Sequence, residues 1–153
     1  MFFKDCIEKI NNDKIKIFVD MDGVIADYNV GKPFDYDKKR PLKNNIKNLE
    51  EVSKMDNVEM FILSGSRMNV GISEKNVWLD EFAPFFKKEN RNILPREKYN
   101  FEKSTSELKC EFLKSLKRDG SAIVVIDDDC KVLKTLSEEI DDIILYKDTV
   151  LVD

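Results

Sequence analysis

The residues of this sequence best able to do chemistry are carboxylates that follow apolar runs. Asp20 and Asp22, two apart, come directly after Ile15–Val19, and Gly23 follows them. Asp127, Asp128 and Asp129 come directly after the unbroken apolar run 122–126. A neutral polar group with one cation, Ser64-Gly65-Ser66-Arg67, closes the apolar run 58–63. Histidine is absent. No Ser-His or Cys-His nucleophile pair and no His-ligated zinc site can therefore be built. Proton transfer must run through carboxylates, lysine, tyrosine or bound water. Any bound metal is expected to be an oxygen-ligated ion such as Mg2+, Mn2+ or Ca2+.

These clusters point at one crevice if each run is a strand of one parallel sheet, because ligands bind at the carboxyl ends of such strands. Carboxylates gathered there repel one another. Two unit charges about 4 Å apart oppose each other by roughly 4 kcal/mol at an effective dielectric of 20. A hard divalent cation relieves that repulsion, and the neutralised site then suits an anionic substrate, most directly a phosphate. On an extended strand Asp20 and Asp22 would point opposite ways. Gly23 suggests a turn that lets both approach one ligand. An EF-hand calcium loop does not fit, since it needs its glycine at the sixth position and a helix before it.

The elements that must position these residues can be read from periodicity. Strands are expected at Ile15–Val19, 58–63, 92–94, 122–126 and 143–146. The run 122–126 suits a strand covered on both faces. Helices are expected between them. Leu42, Ile46, Leu49 and Val52 share one face of 41–55. Ser73 is a plausible N-cap for 73–86. Ser104-x-x-Glu107 fits a capping box for 104–118, which stops at Asp119-Gly120. A short helix is expected at 131–140, and Phe2, Phe3, Cys6, Ile7 and Ile10 mark another at the start. Strands alternating with helices predict an α/β fold of three layers, α/β/α and Rossmann-like, around a mostly parallel sheet of about five strands. The stretch 31–40 has no periodicity and reads as a loop.

Composition sets the outer bounds. With 153 residues the chain fits one domain, 1–153. Apolar residues make up 42 %, enough for a core. The charged residues nearly cancel, 30 acidic against 26 basic, which excludes a generally basic nucleic-acid-coating protein. No apolar run approaches a membrane span, and the N-terminus lacks the pattern of a signal peptide. Cys6, Cys110 and Cys130 include no C-x-x-C pair. They read as small hydrophobes in a reducing cytoplasm.

With these residues placed, a resemblance becomes plain. The strand followed by Asp20-Met21-Asp22-Gly23-Val24 is similar to the first motif of the haloacid dehalogenase (HAD) superfamily of phosphohydrolases. Ser64-Gly65-Ser66 after its strand resembles the second motif, and Asp127-Asp128 the fourth. The resemblance implies Mg2+-dependent phosphomonoester hydrolysis through an aspartyl-phosphate. Asp20 would be nucleophile and metal ligand. Asp22 would be general acid and then base, with its backbone carbonyl on the metal. Ser64 and the Gly65 amide would hold the phosphoryl group. Asp127 would bind the metal directly, and Asp128 directly or through water. The third motif is a lysine, and Lys109, Lys103 and Lys98 all remain candidates, with Lys109 in the commonest position. Arg67 and Lys75 are either contacts to substrate or solvated surface residues.

A narrower resemblance joins Asp20 to Asp27, the segment 73–82 and Ile93-Leu94-Pro95-Arg96-Glu97-Lys98 to the 5'(3')-deoxyribonucleotidases. It implies a phosphorylated small-molecule substrate, expected to be a nucleotide. Those enzymes carry a sizeable helical cap, whereas here 24–45 leaves room only for a minimal cap or a loop insertion. An open crevice would accept a bulkier substrate, such as a nucleic-acid 3'-phosphate end, and the same chemistry on a sugar phosphate is a further alternative. A partner subunit could also close the crevice, which would make a homodimer. A non-catalytic binding module on the same fold is the remaining alternative, disfavoured because no carboxylate the mechanism needs is missing. Trp78, Phe82, Phe85 and Phe86 are expected to be core and rim packing rather than a base-stacking platform.

Overall fold

The computed structural model describes residues 2–28, 36–99 and 101–152. In chain order the elements are α1 (Phe2–Glu8), β1 (Ile15–Val19), α2 (Lys43–Ser53), β2 (Val58–Ser66), α3 (Val70–Phe82), β3 (Arg91–Pro95), α4 (Thr105–Ser115), β4 (Ala122–Asp127), α5 (Cys130–Glu139) and β5 (Ile143–Lys147). The five strands form one parallel sheet in the order β3-β2-β1-β4-β5. The chain steps outward from β1 through β2 to β3, then crosses back to place β4 on the other side of β1. The reversal leaves a crevice between the carboxyl ends of β1 and β4.

Side-chain alternation along the strands builds two cores. Ile15, Ile17 and Val19 of β1 and Val124 and Ile126 of β4 face α1, α2 and α3, where they meet Phe3, Ile7, Leu49, Val52 and Leu79. Phe18, Ile123 and Val125 face the other way, onto Cys110 and Leu113 of α4 and Val132 and Leu136 of α5. Helices thus cover both faces, giving the three α/β/α layers expected from the alternating pattern. Trp78 and Phe86 are fully enclosed, so these aromatics are core. Among the described residues no helix is long and apolar enough to cross a membrane.

Several boundaries differ from the periodicity. β2 runs on through Ser64-Gly65-Ser66, because those residues pair with Ile93, Leu94 and Pro95 of the edge strand β3. Helix α3 opens at Val70, so Ser73 lies inside its first turn and caps nothing. The helix ends at Phe82, because Ala83 precedes Pro84 and the residue before proline is driven out of the helical region. The capping box at α4 forms as expected, with Ser104 and Glu107 exchanging hydrogen bonds, but the helix ends at Ser115, before Asp119-Gly120. Of the cysteines, Cys110 is buried, Cys6 half-buried and Cys130 exposed. The small-hydrophobe reading therefore fits Cys110 best and does not hold for Cys130.

Candidate active site

Asp20 sits one residue past β1, and its amide donates to the Ile126 carbonyl at 3.0 Å, extending the pairing of β1 with β4. Asp127 is the last residue of β4 and is 1 % exposed. Two adjacent parallel strands that end at the same level therefore bring Asp20, Asp127 and Asp128 together. One carboxylate oxygen of each lies within 4.8 Å of the others. Burial, and then the charge of Asp20, push the Asp127 carboxyl well above the usual carboxylate range. The same two causes, in the same order, raise Asp128. Asp129 plays a different part, since its side chain accepts from the Lys131 amide at 2.8 Å and caps α5.

Lys109 lies among these carboxylates. It is 2 % exposed, and its Nζ reaches Asp127 Oδ2 at 2.6 Å and Asp20 Oδ1 at 3.1 Å. Burial pulls its pKa down, but the charges of Asp20 and Asp127 more than offset this and hold it above the ordinary lysine range. The other two candidates for this position lie elsewhere. Lys103 is exposed enough to pair with Glu111 at 2.8 Å, and Lys98 lies over the Tyr99 ring. The capping box fixes the start of α4 one turn before Lys109, and the helix carries the lysine stem through the second core to the strand ends.

The backbone after Asp20 turns tightly. The amides of Val24, Ile25 and Ala26 all point at the Met21 carbonyl, and the Gly23 amide donates to Ala26. Gly23 has φ +81°, a left-handed conformation that side chains disfavour, and a Cβ there would overlap the Asp128 carboxylate. This turn aims Asp22 away from the three-carboxylate cluster. Its Oδ1 accepts from Lys39 Nζ at 2.5 Å and its Oδ2 from Lys75 Nζ at 3.1 Å. Burial alone would raise the Asp22 carboxyl, but the two ammonium groups outweigh it and hold the group below its ordinary value. The Asp22 side chain is therefore an ion-paired carboxylate, and a part for Asp22 in metal binding would fall to its backbone.

Lys75 ties this pair to the end of β2. It is 4 % exposed and donates to Ser64 Oγ at 2.8 Å and to the Gly65 carbonyl at 2.7 Å. Ser64 is fully buried, and Gly65, Asp22 and Thr105 line a cavity of about 390 Å3 together with Asp20, Lys109, Asp127 and Asp128. Arg67 is exposed and lines a second cavity beside Gly65. Of Arg67 and Lys75, the structure thus brings Lys75 onto the expected acid–base and phosphate-holding residues. The signal was available in the sequence, because Lys75 precedes Trp78, Leu79 and Phe82 at i+3, i+4 and i+7, on the inward face of α3. Lys39 and Tyr36, the other groups around Asp22, carried no such signal. They come from the short 3-10 turn Tyr36–Lys38 and the residue after it, in the stretch read as a structureless loop.

The segment expected to be a minimal cap, 24–45, lies partly outside the described residues, which omit 29–35. Between Val24 and α2 the described part holds the turn, the Tyr36–Lys38 segment and an isolated bridge of Ala26 with Pro41. The Trp78 indole N–H donates to the Lys39 carbonyl at 3.0 Å and holds that segment over α3.

No family model matches the chain, and no curated protein does. Among solved structures it is similar to the HAD domain of the effector protein Lem4 from Legionella pneumophila. The two share 15 % sequence identity over 89 % of this chain and 85 % of that one, with a TM-score of 0.52. The fold is that of a HAD domain.

The donor set of the HAD-fold crevice suits a hard cation. It consists of carboxylate oxygens on two strand ends, close together and mutually repelling, with no sulfur or nitrogen ligand among them. Millimolar Mg2+ should therefore raise the melting temperature of the wild-type protein, since an ion held by these three carboxylates would stabilise the folded state alone. Gly23→Ala should lose most of that increment, because the added methyl displaces Asp128. Thermal scans with Mg2+ and with chelator check both, and an equal Mg2+ response in the two proteins would remove Asp128 from the cation site.

Proposed function

We propose that this protein is a Mg2+-dependent phosphomonoester hydrolase that works through an aspartyl-phosphate, with a nucleotide as the expected substrate. The observation that carries this reading is the convergence of Asp20, Asp127 and Asp128 around the Lys109 ammonium, one strand away from Ser64 and Gly65. Asp20, Asp127 and Asp128, with the Asp22 backbone, would hold the cation, which when bound neutralises the charge of the transferring phosphoryl group.

The chain's own groups then divide the work. The Asp20 carboxylate attacks phosphorus and the ester oxygen leaves, which splits one hard displacement into two easier ones. The Ser64 hydroxyl and the Gly65 amide hold the phosphoryl oxygens. Lys109 keeps Asp20 oriented and offsets the charge of two carboxylates. Asp22 handles the proton, first toward the leaving oxygen and then from the attacking water. With Lys39 and Lys75 on its two oxygens, Asp22 is held as the ion, the form that activates water. As an acid it must first take up a proton. Counting the charges of the site explains the lysines. Asp20, Asp22, Asp127 and Asp128 are opposed by Lys39, Lys75 and Lys109, so a divalent cation turns the site from net negative to net positive and ready for an anion.

Phosphate release from a panel tests this. The panel comprises 5'- and 3'-deoxynucleotides, ribonucleotides, sugar phosphates, an aryl phosphate and 3'-phosphorylated DNA, each with Mg2+ and with chelator. The expected result is Mg2+-dependent release that chelator abolishes, highest on small monoesters. Silence across the panel from a well-folded protein would overturn the hydrolase reading.

A further inference from the structure

The sheet ends on two strands, β3 and β5, each paired on one side only. An edge strand presents unpaired N–H and C=O groups, and native proteins blunt such edges with proline, with charge or with a covering segment. The β3 edge is blunted. It ends on Pro95, which has no N–H, and opens on Arg91 and Asn92. The β5 edge is not. It reads Ile143-Ile144-Leu145-Tyr146-Lys147, with no proline and with its one charge at the last position. Among the described residues β4 is its only strand partner, and no loop backbone bonds to residues 143–146.

The side chains along this edge are incompletely covered as well. Ile144 and Tyr146 pack on the first core and Ile143 and Leu145 on the second, yet all four are only half-buried. Its neighbour β4, inside the sheet, buries every residue from Ile123 to Asp127. Half-buried apolar side chains above and below a row of open backbone groups are what an added strand covers.

Charge decides which strand fits. Asp141 and Asp142 precede β5 and are exposed, whereas Lys147 ends it. Lys147 Nζ lies 3.9 Å from Asp148, a loose pair that leaves the lysine side chain 48 % exposed. A second β5 laid antiparallel sets the end of each strand beside the start of the other. About a two-fold axis at Leu145, Ile144 of one copy faces Tyr146 of the other. Lys147 of each copy then faces Ile143 of the other, next to Asp141 and Asp142. Parallel pairing would instead bring acids to acids and lysine to lysine, which is destabilising. The antiparallel contact uses the same surface on both copies, so it closes at two.

We propose that this protein forms a homodimer by antiparallel pairing of β5 with β5 of a second copy. The two sheets join into one, and their crevices open at opposite ends of its strands, so neither subunit closes the site of the other. The paired strand is short, so the dimer should be weak, with a Kd of about micromolar or higher.

Sedimentation equilibrium over roughly a 100-fold range of concentration around that value tests the pairing. The expected result is a shift from one chain to two. Lys147→Asp and Asp141→Lys change exposed side chains outside the catalytic site, so both variants should fold normally. Each places like charges across the axis twice and should weaken the dimer about tenfold or more. Mixed in equal amounts, the two variants should recover most of the affinity, because each supplies the charge that the other lacks. Backbone amides of 143–147 should exchange more slowly as the concentration rises. A single chain at every concentration would overturn the self-pairing and leave the edge to a strand of another protein. A dimer that both reversals leave unchanged, or one that gives the β5 amides no added protection, would overturn it by placing the contact on another surface. Assembly beyond two copies would overturn the closed pairing.

Discussion

Asp20→Asn is expected to lower phosphate release by about 10^3-fold or more, because the amide cannot serve as the attacking carboxylate and no neighbouring group replaces it. Asp127 is the nearest alternative, but it is 1 % exposed and its oxygens are engaged by Lys109 and by the Asp129 amide at 3.0 Å. The fold should survive the change. Asn has the same shape, the backbone bond from Asp20 to Ile126 is untouched, and Lys109 keeps Asp127 as partner. Removing one of three crowded negative charges should leave the melting temperature within a few degrees of wild type, or raise it. Steady-state phosphate release and a thermal scan on the same preparation check both halves. Turnover within about tenfold of wild type would overturn the assignment of Asp20 as nucleophile.

Lys109→Met should cost the most stability. The side chain keeps nearly the same length, but the ammonium between Asp20 and Asp127 is gone. Removing one partner of a buried ion pair costs about 3–5 kcal/mol, since it strands a buried charge. For a chain of this size that corresponds to a fall of roughly 10 °C in melting temperature. The loss should be largest in chelator and partly recovered in Mg2+, which can take over the neutralising charge. In the wild-type protein the folded state holds Lys109 protonated above the ordinary lysine range. Its contribution is therefore complete below that range and is lost only as pH climbs through it. A melting temperature within about 2 °C of wild type in chelator would mean that the cluster is not held together by this lysine.

Much of the site was legible in the sequence because its residues are tied to strand ends. A run such as Ile15–Val19 declares a strand, and the next residue must then emerge at the carboxyl edge of the sheet. Asp20 was placed by that argument, Asp127 came within one residue of it as the last residue of β4, and the parallel α/β sheet followed from the same alternation of apolar runs. The reach of β2 through Ser66 was less visible, because Ser-Gly-Ser has no strand pattern and is held by pairing with β3.

The residues around Asp22 were a different case. Sequence by itself determined that carboxylates would crowd one edge of a parallel sheet and would need cations. It left open which cations, because lysines are common along this chain and a lysine's place depends on how its long stem packs. Only the tertiary structure decided that Lys109 goes to Asp20 and Asp127, that Lys39 and Lys75 clamp Asp22, and that the Tyr36 ring packs against both of those ammonium groups. The physical reason is range. Strand ends are fixed by local periodicity, whereas the pairing of Lys39 with Asp22 or of Lys109 with Asp20 joins residues far apart in sequence, which meet only after the helices have packed on the sheet.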